Sequence, residues 1–252
     1  MEALILAAGY ATRLGSLTRE RAKPLLPVGR KPLIDYIYDQ LAAMPEVRRV
    51  SVVTNHRFAS QFVDWAAGHA GPKALQIVDD DTTDDTNKLG AIGDIRLVLQ
   101  RQHIDDDLLI AAGDNLFDCR LQGLVDFFHR RGTCVGLYDT GNLSIMTQYA
   151  VVELDALDRV VGFHEKPAQP ASTLAATALY ALSREHVALV EQYRQGGGNM
   201  DAPGYYIEWL YRQVPLYGYV LPGEWRDIGN LEQYRQAQLA YGGGEVANPA
   251  AG

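Results

Sequence analysis

Five charged side chains follow short apolar or small-residue runs at widely separated points of the chain: Arg13, Lys23, Asp114, Lys166 and Asp227. Arg is a planar, permanently charged donor that matches phosphate oxygens, and Lys adds a compact point charge. Asp114 closes the apolar run Leu108–Ala112 and Asp227 precedes a helix start at Asn230. Two such carboxylates are oxygen ligands for a hard cation such as Mg²⁺, which takes phosphate as its other partner. The small residues Ala7, Ala8, Gly9 and Ala11 directly precede Arg13. They let the backbone approach a ligand closely, and successive N–H groups can cradle phosphate oxygens. Read one at a time, these pieces are equally a strand-to-helix turn, a Gly-Asp-Asn turn and, at His164-Glu165-Lys166-Pro167, a surface charge pair.

Elements must bring such distant residues together. Leu4–Ala8 is expected to be a buried strand, and Leu33, Ile37, Leu41 and Met44 form a helical stripe in PLIDYIYDQLAAM. RRVSVVTN, ALQIVDD and DDLLIAAGDN are further strands, and FASQFVDWAAGH and AIGDIRLVLQRQ are helices. The segment from Asp79 to Asp85 is expected to be a solvated acidic loop. This order predicts an α/β fold, Rossmann-like and doubly wound, with a mostly parallel mixed sheet and helices on both faces. The second half reads as strands: RGTCVGLYDT, YAVVELD, RVVGFHEKP and TLAATALYALS. The helix REHVALVEQYRQ, a strand in PLYGYVLPGEWRDIG and the helix LEQYRQAQLAY follow. A single domain over residues 1–240 and a flexible tail over 241–252 are expected. In such sheets ligands bind beyond the carboxyl ends of the strands, where the charged residues fall.

Composition narrows the partners. The chain of 252 residues carries a net charge of −8, which disfavours nucleic acid and anionic membrane as main partners. Cys119 and Cys134 form no CxxC pair, so neither a zinc site nor a disulfide framework is indicated, and a cytoplasmic location fits. The first apolar run is too short for a signal sequence or a membrane span. No GK[ST] follows Gly9, and Tyr10 and Ala11 break a GxGxxG spacing. Neither a Walker loop nor an NAD-binding fingerprint is therefore present.

Several longer motifs occur in order: LAAGYATRLGSLT, AKPLLPVGRKPLI, LGAIGD, AGDN, HEKP and WRDIGN. From Leu4 to about Tyr234 they resemble the nucleotidyltransferase family that makes nucleotide sugars, of the glucose-1-phosphate thymidylyltransferase type. Its pattern is LAAG-x-GTRL-x-PLT, then PKPLLPV, LG-x-x-G, GD, EKP and W-x-DIGT. Ala11 replaces the usual Gly, Ser16 the usual Pro and Ala22 the first Pro of PKPLLP. Thr177-Ala178 stands near a usual Thr-Gly or Ala-Gly. No C-terminal β-helix domain of the kind that longer relatives carry is expected after the last helix.

The resemblance implies transfer of a nucleoside monophosphate from a nucleoside triphosphate, dTTP or UTP, to a sugar 1-phosphate, glucose 1-phosphate, with release of pyrophosphate. It implies a nucleotide-binding part over about 1–115 and a sugar-binding part over about 116–240. Arg13 and Lys23 are the implied catalytic cations. The implied nucleotide contacts are Leu6, Ala8, Gly9, Tyr10, Ala11, Thr12, Arg13, Lys23, Asn87, Leu89, Gly90 and Asp114. Those for the sugar phosphate are Asn115, Glu165, Lys166, Thr177, Tyr206 and Trp225. Asp114 and Asp227 would hold Mg²⁺, and assembly into a homo-oligomer is compatible with the family. Two rival readings are a cytidylyltransferase acting on phosphocholine or another small phosphate or phosphonate, with Tyr205, Tyr206 and Trp209 as an amine cage, and a non-catalytic nucleotide-sensing regulatory subunit.

Overall fold

The computed structural model describes residues 1–69, 71 and 73–242. The first half runs β1 (Glu2–Leu6), β2 (Pro27–Val28), β3 (Lys31–Pro32), α1 (Leu33–Ala43), β4 (Arg49–Thr54) and α2 (Ala59–Ala67). It continues with β5 (Ala74–Asp79), α3 (Ala91–Arg101), β6 (Leu108–Ala112), β7 (Asn115–Phe117) and α4 (Gln122–Arg131). The second half holds β8 (Cys134–Asp139), β9 (Ala150–Leu154), β10 (Val160–Glu165), β11 (Leu174–Leu182) and α5 (Arg184–Gln195). It closes with α6 (Pro203–Leu210), β12 (Tyr217–Val220), β13 (Trp225–Asp227) and α7 (Leu231–Tyr241).

β1 pairs in parallel with both β4 and β6, and β4 with β5. β11 runs antiparallel and pairs β8 along its length, β9 at its start and β6 at its end. The sheet is thus parallel around β1 and, beyond β6, antiparallel except where β12 pairs with β8, the mixed form expected. Its strands are near-continuous apolar runs because helices cover both faces. Ala3 and Ile5 pack with Ile37 and Leu41 of α1, Phe62 of α2 and Leu124 and Phe128 of α4. Leu4, with the opposite parity, packs with Ile92 and Ile95 of α3, Val190 of α5 and Ile207 of α6. A smaller core of Leu14, Leu26, Val28, Leu33, Ile228 and Tyr234 lies beneath the long connection after β1.

Several expectations are corrected. α4 and α6 fall in segments for which no element was expected. α6 opens on Pro203, whose missing N–H costs nothing in a first helical turn. PLYGYVLPGEWRDIG is two strands, not one: β12 lies parallel to β8, and after Pro222-Gly223 the chain turns so that β13 pairs with β7. The segment Asp79–Asp85 is not simply solvated, since Asp80 and Thr82 are buried. Tyr241, the last residue of the expected helix LEQYRQAQLAY and the first of the range expected as tail, ends α7 and packs edge-on against Tyr36 with centroids 5.0 Å apart. Residues 243–252 of that expected tail lie outside the described residues.

Candidate active site

The chain leaves β1 toward β4 on one side and returns to β6 on the other, so the strand order reverses between β1 and β6. A crevice at such a switch point is the usual ligand site of an open α/β sheet. Here a cavity of about 440 Å³ opens at the carboxyl ends of these strands. Leu6, Ala8, Gly9, Tyr10 and Arg13 line it from the β1 side, and Ala112, Asp114 and Asn115 from the β6 side.

The loop after β1 is pinned at both ends. Ala7 donates its amide to the Val53 carbonyl and Gly113 to that of Leu6, both at 2.9 Å. The buried Asn55 donates to the Ala8 carbonyl at 2.9 Å. Ala11 adopts the left-handed conformation, φ 49° and ψ 39°, before a short turn of 3-10 helix over Thr12–Thr18. Its carbonyl is held by the Thr18 hydroxyl at 2.9 Å and the Leu14 amide at 3.1 Å. Those bonds keep a non-glycine residue in a conformation that disfavours a Cβ. The Thr12 side chain lies outside what is described. Arg13 lines the cavity, and Ala11 packs on the small core beneath the loop. Ala22, in place of a proline, donates its amide to Gln61 Oε1 at 3.2 Å. A proline has no N–H for that bond.

Lys23 opens a single turn of 3-10 helix, anchored by buried Pro24 and Leu25. Its Nζ lies 2.6 Å from Asp114 Oδ2. The short β7–β13 pairing sets Asp227 opposite Asn115, and the Ile228 amide donates to the Asp114 carbonyl at 3.1 Å. Asp114 and Asp227, remote in sequence, thus become neighbours. Burial, then the charge of Asp114, pushes the Asp227 carboxyl up to about 6, against the pull of Lys23, Arg13 and Lys166. Two adjacent carboxylates on a phosphate-sized crevice, one largely buried and raised by the other, fit a hard divalent cation. A second group, His56 with Asp79 and Asp81, lies outside the cavity lining, and His56 Nδ1 sits 2.6 Å from Asp79 Oδ2.

The far wall is built on β11 and β10. Asn115 joins three elements: its amide donates to the Thr177 carbonyl at 3.0 Å, and its oxygen accepts from Trp225 Nε1 at 3.1 Å. The Thr177 hydroxyl is turned away and donates to the Gly136 carbonyl at 2.9 Å. Thr177 therefore borders the cavity without a free hydroxyl, at the bulge where Ala178 takes φ 53°. Glu165 ends β10 with its side chain only 7% exposed, 3.7 Å from Lys166 Nζ. Burial pushes its carboxyl up. A Cβ at Gly204 would overlap Glu165 Oε2, so only glycine admits that carboxylate against α6.

Tyr206 does not reach the cleft. It is buried, its hydroxyl donates to the His186 carbonyl, and its ring stacks on Trp209. The aromatic richness that suggested a ligand wall instead fills core.

Near α3, Gly90 lines the cavity with φ 75° and ψ 161°. A Cβ there would overlap the Met200 carbonyl, and the carbonyls of Asp201 and Met200 accept the amides of Ala91 and Ile92 at 2.9 and 3.1 Å. Leu89 is exposed and outside the lining. Asn87 closes its own turn, accepting the amides of Thr83 and Asp84 at 3.1 and 3.2 Å. Two further lining residues, Asp80 and Asp94, carry no local signal and are brought together by tertiary packing alone.

Comparison with known proteins identifies the family and the fold. Residues 2–243 match the protein-family model described as Nucleotidyl transferase. A UTP--glucose-1-phosphate uridylyltransferase of Synechocystis is 28% identical over 251 residues, covering 94% of this chain and 62% of that protein. A glucose-1-phosphate adenylyltransferase of Thermotoga maritima is 29% identical over 253 residues, covering 94% and 59%. The bifunctional protein GlmU of Methanocaldococcus jannaschii is 24% identical, covering 91% and 51%. The chain thus spans only half to two thirds of the length of these curated relatives. A solved structure, a putative glucose-1-phosphate thymidylyltransferase of Bacillus anthracis in complex with sucrose, shares the fold with a TM-score of 0.81 at 20% identity, covering 98% of both chains.

Proposed function

The chain belongs to the nucleotidyl transferase family, and from that premise we propose that it transfers a nucleoside monophosphate from a nucleoside triphosphate to a sugar 1-phosphate, releasing pyrophosphate. The first substrates to test are dTTP or UTP with glucose 1-phosphate. The observation that carries the reading is the convergence of Arg13, Lys166 and the Lys23-paired Asp114 with Asp227 on one crevice.

The acceptor's phosphate oxygen is already ionised near neutral pH, so no general base is needed. Catalysis is then positioning and neutralisation of charge. The backbone from Gly9 to Ala11, with Arg13, holds the triphosphate and afterwards the departing pyrophosphate. Lys23 stands at the α-phosphoryl group, its ammonium oriented by Asp114. Lys166 holds the sugar phosphate. Glu165 accepts from a sugar hydroxyl, a role suited to a carboxylate fixed by close packing against Gly204. Asp114 and Asp227 are the residues that would hold Mg²⁺, which neutralises phosphate charge and orients the phosphates when bound.

The phosphocholine alternative draws no support from the cleft, because Tyr206 is buried in the core and the half-buried Trp209 stacks on it. The intact set of cations disfavours a subunit that only senses nucleotide. A pyrophosphate-release assay over five nucleoside triphosphates, a panel of sugar 1-phosphates and phosphocholine tests the proposal. Release that depends on a sugar 1-phosphate supports it; release with phosphocholine alone replaces it.

A further inference from the structure

Two carboxylates in the cleft have no part in this scheme. Asp80, just after β5, and Asp94, in the first turn of α3, line the cavity while only 5% and 6% exposed. The charged groups around them are engaged elsewhere. Lys88 pairs with Asp201 at 2.9 Å and Asp85 at 3.4 Å, and Arg101 pairs with Asp81 at 2.5 Å. Asp79, at the end of β5, pairs with His56 at 2.6 Å.

Hydrogen-bond direction assigns the protons. The Thr82 hydroxyl and amide both donate to Asp80 Oδ1 at 2.7 Å. A hydroxyl has one proton, so the Tyr10 hydroxyl, 2.8 Å from Thr82 Oγ1, must be the donor of that pair. Asp80 Oδ1 is therefore the acceptor at the end of a chain that begins on the loop after β1. Asp94 lines the same cavity as Asp80, and the Asp80 charge bears on its carboxyl. Two carboxyl groups share a bond only when one keeps its proton. Asp94 is the better keeper of that proton, because among the described residues its buried Oδ1 has no hydrogen-bond partner and a charge there would be uncompensated, whereas Asp80 Oδ1 accepts twice. Burial, then the Asp80 charge, pushes the Asp94 carboxyl up to about 8.

We propose that Asp94 is a positioning residue for the nucleotide: as a neutral acid it donates to Asp80, steadies the Asp80–Thr82–Tyr10 chain against the loop after β1, and keeps a further negative charge away from a polyanionic ligand. The inference rests on the nucleotide reading of the cleft. When Asp94 ionises, the shared bond is lost and two buried carboxylates repel each other beside the bound triphosphate.

The test is KM for the nucleoside triphosphate and kcat from pH 7 to pH 9.5, with nucleotide binding followed in parallel by calorimetry. Thermal unfolding confirms that each variant is folded. In the unmodified protein KM is expected to rise about tenfold, the factor of one unit of proton linkage, while kcat changes little. Asp94→Asn, which keeps a donor and cannot ionise, should hold its own KM within about twofold across the range. Asp94→Ala should start from a raised KM, since the donor is gone. A flat KM in the unmodified protein, or the same rise in Asp94→Asn, overturns the role of Asp94 and leaves the nucleotide reading standing. Absence of nucleotide binding at every pH overturns both.

Discussion

Lys23 Nζ lies 2.6 Å from Asp114 Oδ2, with the lysine side chain only 11% exposed. The two residues come from the connections after β1 and β6, on opposite sides of the crevice. The pair holds the ammonium at a defined point, which a free surface lysine on a four-carbon stem cannot do. Asp227 stands beside Asp114, so the same cation also tempers two crowded carboxylates.

Lys23→Ala is expected to lower kcat by about 100-fold or more, the scale seen when one preorganised charge-stabilising donor is removed. Its cost in stability should be about 1 kcal/mol, since Asp114 is itself one-third exposed and can be hydrated. Steady-state kinetics beside denaturant unfolding separate the two effects. Near-normal turnover removes Lys23 from the chemistry.

Gly204→Ala pushes Glu165 out of its place, because a Cβ has no room beside the carboxylate. We expect KM for the sugar phosphate to rise about tenfold, the loss of one charge-assisted hydrogen bond, while KM for the triphosphate stays put. An equal change in both constants contradicts the role given to Glu165.

Ala11→Gly removes a side chain from a left-handed residue. The αL penalty of about 1–2 kcal/mol is relieved, partly offset by the greater entropy of glycine in the unfolded chain. A net gain of up to about 1 kcal/mol in denaturant unfolding is expected. A loss instead shows that the bonds to the Ala11 carbonyl have already removed the strain.

Asp94 also makes stability depend on pH. Its folded carboxyl is raised to about 8, whereas an unfolded aspartate titrates at about 3.9. The folded state binds that proton more tightly, so its contribution is fully present below about pH 4 and is lost as pH rises toward 8. Asp94→Asn should therefore gain stability relative to the unmodified protein between pH 5 and pH 8 and run parallel to it above. Unfolding curves at four pH values check the sign, and parallel curves across that window contradict it.

What the sequence could show depended on how locally each feature is encoded. β1 and β6 were legible because sheet strands covered on both faces are continuous apolar runs, and the loop after β1 announced itself through small residues next to Arg13. Residue type and resemblance suggested Asp114 and Asp227 as partners, but not the geometry that makes them neighbours. That geometry depends on β7 and β13, strands of three residues whose register no local pattern encodes. The Asp80–Asp94 pair stayed hidden for a related reason: an acidic run reads as solvated until α3 is seen packed against it. Tyr206 misled in the other direction, since aromatic side chains signal core as readily as ligand wall.

The central claim is tested most directly by incubating the protein with Mg²⁺, a sugar 1-phosphate and a nucleoside triphosphate labelled at the α-phosphate, then separating the products. The account predicts label in a nucleotide sugar, unlabelled pyrophosphate in equal amount, and no product when the sugar 1-phosphate is left out. Label in free nucleoside mono- or diphosphate, formed with or without the sugar, would contradict it.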